Sequence, residues 1–229
     1  MTLAKAESGN KSFGMNAGRL TYSGGVLFCL VLMMGASSIA GADEIHKAVF
    51  KGDFDRVVAL LKDHPELVDK KDKLGQTPLL VAVNHNKPEI AELLLANGAD
   101  VNARGPHMQT PLILAMSVYN HDRMVRLLLA KDADVNLEDE RTMTAVVYAV
   151  TKGQLEDVKV LLANDANINF VSGETPLFLA VMGMRRDMVE LLLASGADPN
   201  QKVGGVTPSR FADSDPKIKA LIEKYGGRE

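Results

Sequence analysis

Tryptophan is absent, and aromatic residues make up only 5% of the chain. Few large side chains are therefore on hand to anchor a core or an interface. A single cysteine, Cys29, occurs in 229 residues. It follows a short apolar run, but bulky Phe28 stands directly before it, unlike the small residues that precede a lipid-modified cysteine. Beyond it there is no other, which excludes disulfides, thiolate metal sites and a cysteine nucleophile from the rest of the chain. No clustered basic excess accompanies the net charge of -3, so nucleic acid is not an expected partner. Glycine-rich phosphate loops, a serine nucleophile elbow and a His-Glu-x-x-His pair are missing as well.

What is present begins with a composite N-terminus. Lys5, Lys11 and Arg19 precede an apolar run from Val26 to Ala36, and small residues lead to Ala40-Gly41-Ala42 before Asp43. A basic segment, an apolar segment and a small-residue site in that order predict a signal peptide over 1–42, cleaved after Ala42. Initiation at Met15 would give a basic segment of more ordinary length. The alternative is an uncleaved anchor, although Val26–Ala42 is only 17 residues and is diluted by Gly and Ser, which is short for a membrane span.

The remainder repeats. "TPLLVAV" at 77–83 returns as "TPLILAM" at 110–116, "TAVVYAV" at 144–150, "TPLFLAV" at 175–181 and "TPSRFAD" at 207–213, at intervals of 33, 34, 31 and 32 residues. "GADVN" at 98–102 keeps step with it as "DADVN", "DANIN" and "GADPN", and a Leu-rich block such as "ELLLA" at 92–96 sits between the two. Thr at a helix N-cap satisfies a free amide, and Pro at the first helical position loses no donor that is needed. Gly98 and Gly196 permit a left-handed C-cap. Asp132 and Asp165 replace them and can adopt the same conformation at some cost.

These motifs resemble the ankyrin repeat, two antiparallel helices and a β-turn in about 33 residues. The resemblance implies an all-α repeat solenoid of about six helix-turn-helix units joined by β-hairpin loops. The units fall at about 43–73, 74–106, 107–139, 140–171 and 172–204, with a C-terminal cap at 205–229. The first and last are degenerate and polar, as terminal caps need to be. In one respect the chain departs from the family, which places a His after Thr-Pro-Leu to tie neighbouring turns together. Leu80, Ile113, Val147, Phe178 and Arg210 stand there instead, so packing is expected to substitute and the hairpins to be looser.

Histidines 46, 64, 85, 107 and 121 are scattered and read as solvated. His85 and His121 are expected at similar inter-helix positions about 10 Å apart, too far to share a metal. "DADVNLEDERTM" from Asp132 starts like a calcium loop but has Leu137 and Met143 where Gly and a bidentate Glu are required. Glu138, Asp139 and Glu140 read as a solvated hairpin tip. No metal, cofactor or catalytic residue is expected.

Family ligands are gripped by hairpin tips and the inner edge of the first helices. Carried over by position, this implicates Lys73, Leu74, Gln76, Asn84 and His85; His107, Met108, Gln109, Ser117, Val118 and Tyr119; Glu140, Arg141, Met143, Thr151 and Lys152; Val171, Ser172, Glu174, Met182 and Met184; and Val203 and Val206. Met108, Met143, Val171, Met182 and Val206, with Tyr119 beside them, are expected to form an apolar stripe on the concave side. The alternative is that they fold inward and compensate for the missing His. The leading partner-binding candidates are Leu74, His107, Met108, Tyr119, Glu140, Arg141, Met143, Val171, Met182 and Val206. A leader before a small ankyrin array resembles periplasmic bacterial proteins. This implies a monomeric, non-catalytic module that binds a protein, supporting a stress-defence enzyme or neutralising an effector. A membrane-tethered envelope scaffold is the alternative.

Overall fold

The computed structural model describes residues 43–118, 121–169 and 174–228. The segment 1–42, where a leader is expected, and Tyr119, Val171 and Ser172 lie outside the described residues.

The described residues form six helix pairs. They are α1 (43–51) with α2 (Phe54–Asp63), α3 (Pro78–Asn84) with α4 (Pro88–Ala96), and α5 (Pro111–Ala115) with α6 (Asp122–Leu129). They continue with α7 (Ala145–Lys152) and α8 (Leu155–Leu162), α9 (Pro176–Met182) and α10 (Arg186–Ala194), and α11 (Pro208–Phe211) and α12 (Pro216–Lys224). None is long and apolar enough to cross a membrane. The connecting hairpins are tight turns rather than strands, closed by backbone bonds such as Asp72 N–H to Gln76 O, Gly105 N–H to Gln109 O and Asp139 N–H to Met143 O.

Local chemistry starts four of the first helices where the sequence predicts. The hydroxyls of Thr77, Thr110, Thr175 and Thr207 accept the amides of Leu80, Ile113, Phe178 and Arg210. Gly98 and Gly196 leave the second helices at φ 88° and 92°, and Asp132 and Asp165 take the same left-handed place at 59° and 62°. First helices pack in succession, α3 on α5, α5 on α7, α7 on α9 and α9 on α11. Second helices do the same, α2 on α4, α4 on α6, α8 on α10 and α10 on α12, but α6 and α8 pack less closely than their neighbours. The Leu-rich blocks supply the floor between these rows: Leu61, Leu94, Leu128, Leu161 and Leu192 are all buried.

Two features correct the expectation that packing alone replaces the missing His. First, the Asp-x-Asn pairs form a hydrogen-bond ladder from unit to unit. The side-chain oxygens of Asp69, Asn102, Asn136, Asn169 and Asn200 accept the amides of Asp100, Asp134, Asn167, Asp198 and Arg228, at 2.8–3.0 Å. Each such bond contributes about 1 kcal/mol net. Second, the His slot is filled once. His46 stands three residues after Asp43, as Leu80 stands three after Thr77, and its Nε2 meets the Gln76 carbonyl at 2.9 Å. At 7% exposure, His46 is buried rather than solvated, because stacking of the second unit covers it. His121 is buried too, at 6%. The expected equivalence of His85 and His121 also fails, since His85 closes α3 whereas His121 opens α6.

Candidate functional site

Thr144 starts α7 without a proline after it, and the hairpin leading to that helix is organised by one carboxylate. Asp139 Oδ1 accepts the amides of Arg141 at 2.9 Å and Met143 at 3.0 Å. Its Oδ2 accepts the Tyr148 hydroxyl at 2.7 Å. Asp139 is therefore 6% exposed, contrary to the expected solvated tip, because three donors turned toward it replace water. Burial pushes the Tyr148 hydroxyl above its ordinary value, and the Asp139 acceptor adds to the shift. Asp72 plays the same part in the first hairpin, accepting the amides of Leu74 and Gln76.

This clamp aims Arg141 and Met143 at the inner edge of the first helices. Arg141, Thr142, Met143, Val147 and Thr151 of one unit meet Glu174 and Leu179 of the next around a notch of about 310 Å³. Its floor is aliphatic. Arg141 is exposed on the rim and has no ion pair among the described residues. Four of the residues implicated by position, Arg141, Met143, Thr151 and Glu174, thus come together. Val147 and Leu179 were missed, because their role arises only when α7 and α9 lie side by side.

Among the described residues, the members of the expected stripe do not all meet at the notch. Met143 sits half-buried in the notch and packs against the core, which is partly the inward alternative. Met108, Met182 and Val206 are outside it. Met182 is exposed at the end of α9, and Val206 is held by a bridge to Val203. Leu74 and Met108 project from hairpin tips, 71% and 52% exposed. His107 and Glu140 join adjacent hairpins, through Nδ1 to Oε1 at 2.6 Å and Glu140 N–H to the His107 carbonyl at 3.0 Å.

Met108 occupies a strained place. Gly75, Met108 and Thr142 each stand two residues before their Thr, at φ 79°, 57° and 59°. Non-glycine residues in this region cost about 1–2 kcal/mol. Met108→Gly is expected to stabilise the fold by about 1 kcal/mol after the extra chain entropy of glycine, seen as a rise in Tm of about 2–4 °C. Thermal unfolding checks it; an unchanged or lower Tm would mean the side chain makes contacts worth the strain.

A family model described as ankyrin repeats, three copies, matches residues 45–139 and 112–203. Inversin of Gallus gallus is 39% identical over 80 residues, 35% of this chain and 7% of that protein. The B-cell lymphoma 3 protein homolog of Mus musculus is 33% identical over 172 residues, 71% of this chain and 38% of that protein. The chain thus spans well under two thirds of the length of either curated relative. The crystal structure of an ankyrin repeat domain from Acinetobacter baumannii AYE superposes with a TM-score of 0.74 at 29% identity, covering 80% of this chain and 98% of that one. Helix pairs, capping threonines, left-handed turns and these matches lead to one assignment: the chain belongs to the ankyrin repeat family, whose repeats are protein–protein interaction modules.

Proposed function

We propose that this protein is a non-catalytic, exported interaction module that docks a partner protein on the hairpin tips and inner edge of its central units. The observation that carries the reading is the notch between the fourth and fifth units, an aliphatic floor whose rim carries a guanidinium with no ion pair among the described residues. A volume of about 310 Å³ is at the small end of ligand pockets and suits an anchoring side chain of a protein better than an enclosed substrate. The non-catalytic reading is supported by Asp139, whose oxygens already serve three donors and are not available as a base. Export to the periplasm rests on the order of basic, apolar and small residues before Asp43.

The test is partner capture from an envelope extract with wild-type bait and with Met143→Glu, which puts a charge on the notch floor. A protein retained by the wild type and lost by the variant, at similar Tm, is the expected result. Equal retention by both baits would move the interface away from the notch. N-terminal sequencing of the envelope-located protein decides the export reading: Asp43 is expected first, and a retained leader would favour the tethered scaffold.

A further inference from the structure

The junction where α6 and α8 pack least closely holds a polar cluster that the proposed interface does not use. His121 Nδ1 lies 2.6 Å from the Val118 carbonyl, and its Nε2 lies 2.9 Å from Asp157 Oδ2. With Nδ1–H donating to the carbonyl, Nε2 presents a lone pair toward a carboxylate oxygen. Two acceptors at that separation require a proton or a cation between them. The Asp122 carboxylate is beside them: one donor atom each from His121, Asp122 and Asp157 lies within 4.8 Å of the others.

Independent observations set this cluster apart from an ordinary pair of surface acids. Asp157 is the third residue of α8. The third residues of α4, α6, α10 and α12 are Ile90, Met124, Met188 and Ile218, all buried; among the other second helices only α2, in the first described unit, has a polar one, the exposed Arg56. The fold itself therefore asks for an apolar side chain at Asp157. Gln154 adds a second sign. Its Oε1 is buried with no hydrogen-bond partner, while its Nε2 sits 3.4 Å from His121 Nε2. Turning the amide over places that orphaned oxygen toward the cluster as a further donor. Finally, a cavity of about 380 Å³ lies against these residues, with Arg126 and Glu156 offsetting each other in its wall. It supplies an entry path.

We propose that His121, Asp122 and Asp157 form a site for a divalent transition-metal ion, zinc being the best match, with Gln154 as a supplementary ligand. One imidazole with carboxylate and amide oxygens suits this class of ion. Bonds of about 2.1 Å put ligand atoms on adjacent tetrahedral corners about 3.4 Å apart, so Nε2 and Asp157 Oδ2, at 2.9 Å, need to part by only about half an ångström to admit the ion. The Val118 carbonyl holds the ring in the tautomer that ligation needs, a recurrent second contact of metal-bound histidine. The ion staples the third unit to the fourth where helix packing is thinnest, and it does so whether or not a partner docks on the notch.

Calorimetric titration of the chelator-treated full chain with zinc chloride tests this, together with thermal unfolding with and without zinc. The expected result is one ion per chain and a Tm rise of about 5 °C at zinc about a hundredfold above Kd. Asp157→Asn, which keeps the shape and removes the charge, should weaken binding at least about tenfold. His85→Ala should bind as the wild type does, which separates this site from exposed histidines. Absence of zinc binding, or equal binding by Asp157→Asn, overturns the proposal and leaves a proton between the two groups.

Discussion

His121→Ala is expected to lower stability by about 3–5 kcal/mol, the largest single effect of any substitution outside the Leu-rich core. The side chains of His121 and Asp157 are 8% and 16% exposed, so alanine strands a carboxylate that has little water and no other ion-pair partner among the described residues. Removing one member of such a pair costs more than the pair itself contributes, because the survivor's desolvation is no longer offset. The fall in Tm should be roughly 10 °C in a repeat domain of this size. The neighbouring units supply the compensating variant. Where the third unit has His121 before α6, the second has Lys87 before α4, and where the fourth has Asp157, the third has Met124. His121→Lys with Asp157→Met therefore copies an arrangement the chain already uses one unit upstream. Near wild-type stability is expected for the double variant. A double variant as unstable as His121→Ala would mean that this junction depends on the polar pair for its shape.

Asp139→Ala is the second. It leaves the amides of Arg141 and Met143 and the Tyr148 hydroxyl without their acceptor, at a total cost of about 3 kcal/mol. It should also abolish partner capture, since both residues that flank the notch lose their orientation. Asp72→Ala removes the equivalent acceptor from the first hairpin, distant in the array from the notch, and should leave capture intact. Equal loss of capture in both would mean that hairpin order in general, not the notch, is what the partner reads. Tyr148→Phe gives a milder version with a pH signature. The Tyr148 hydroxyl is raised by burial and by Asp139, so its contribution to stability is fully present below its unfolded value of about 10. That contribution is lost as pH rises through the folded value. Alkaline denaturation should show this loss in the wild type and not in Tyr148→Phe.

The period of the repeat, the helix starts and the left-handed exits were legible because their causes are local. A threonine hydroxyl reaches an amide three residues on, and Asp132 adopts a positive φ for reasons that lie in its own side chain. The Arg141, Met143, Thr151 and Glu174 cluster was legible by position within the unit, once the units were aligned. Asp157 left a trace as well, an acid in a column that after the first unit otherwise holds Ile and Met, visible only when the second helices are aligned.

What stacking alone decided has partners about thirty residues apart. His46 and His121 read as solvated from their composition, yet Gln76 and Asp157 reach them only when the next unit is in place. Asp139 reads as one of three acids at an exposed tip, but the hairpin folds its donors inward around it. The Asn ladder and the Val147–Leu179 floor arise the same way. Composition shows which groups need partners; in a solenoid, the next unit along the stack provides them, and burial follows from that neighbour rather than from the residue itself.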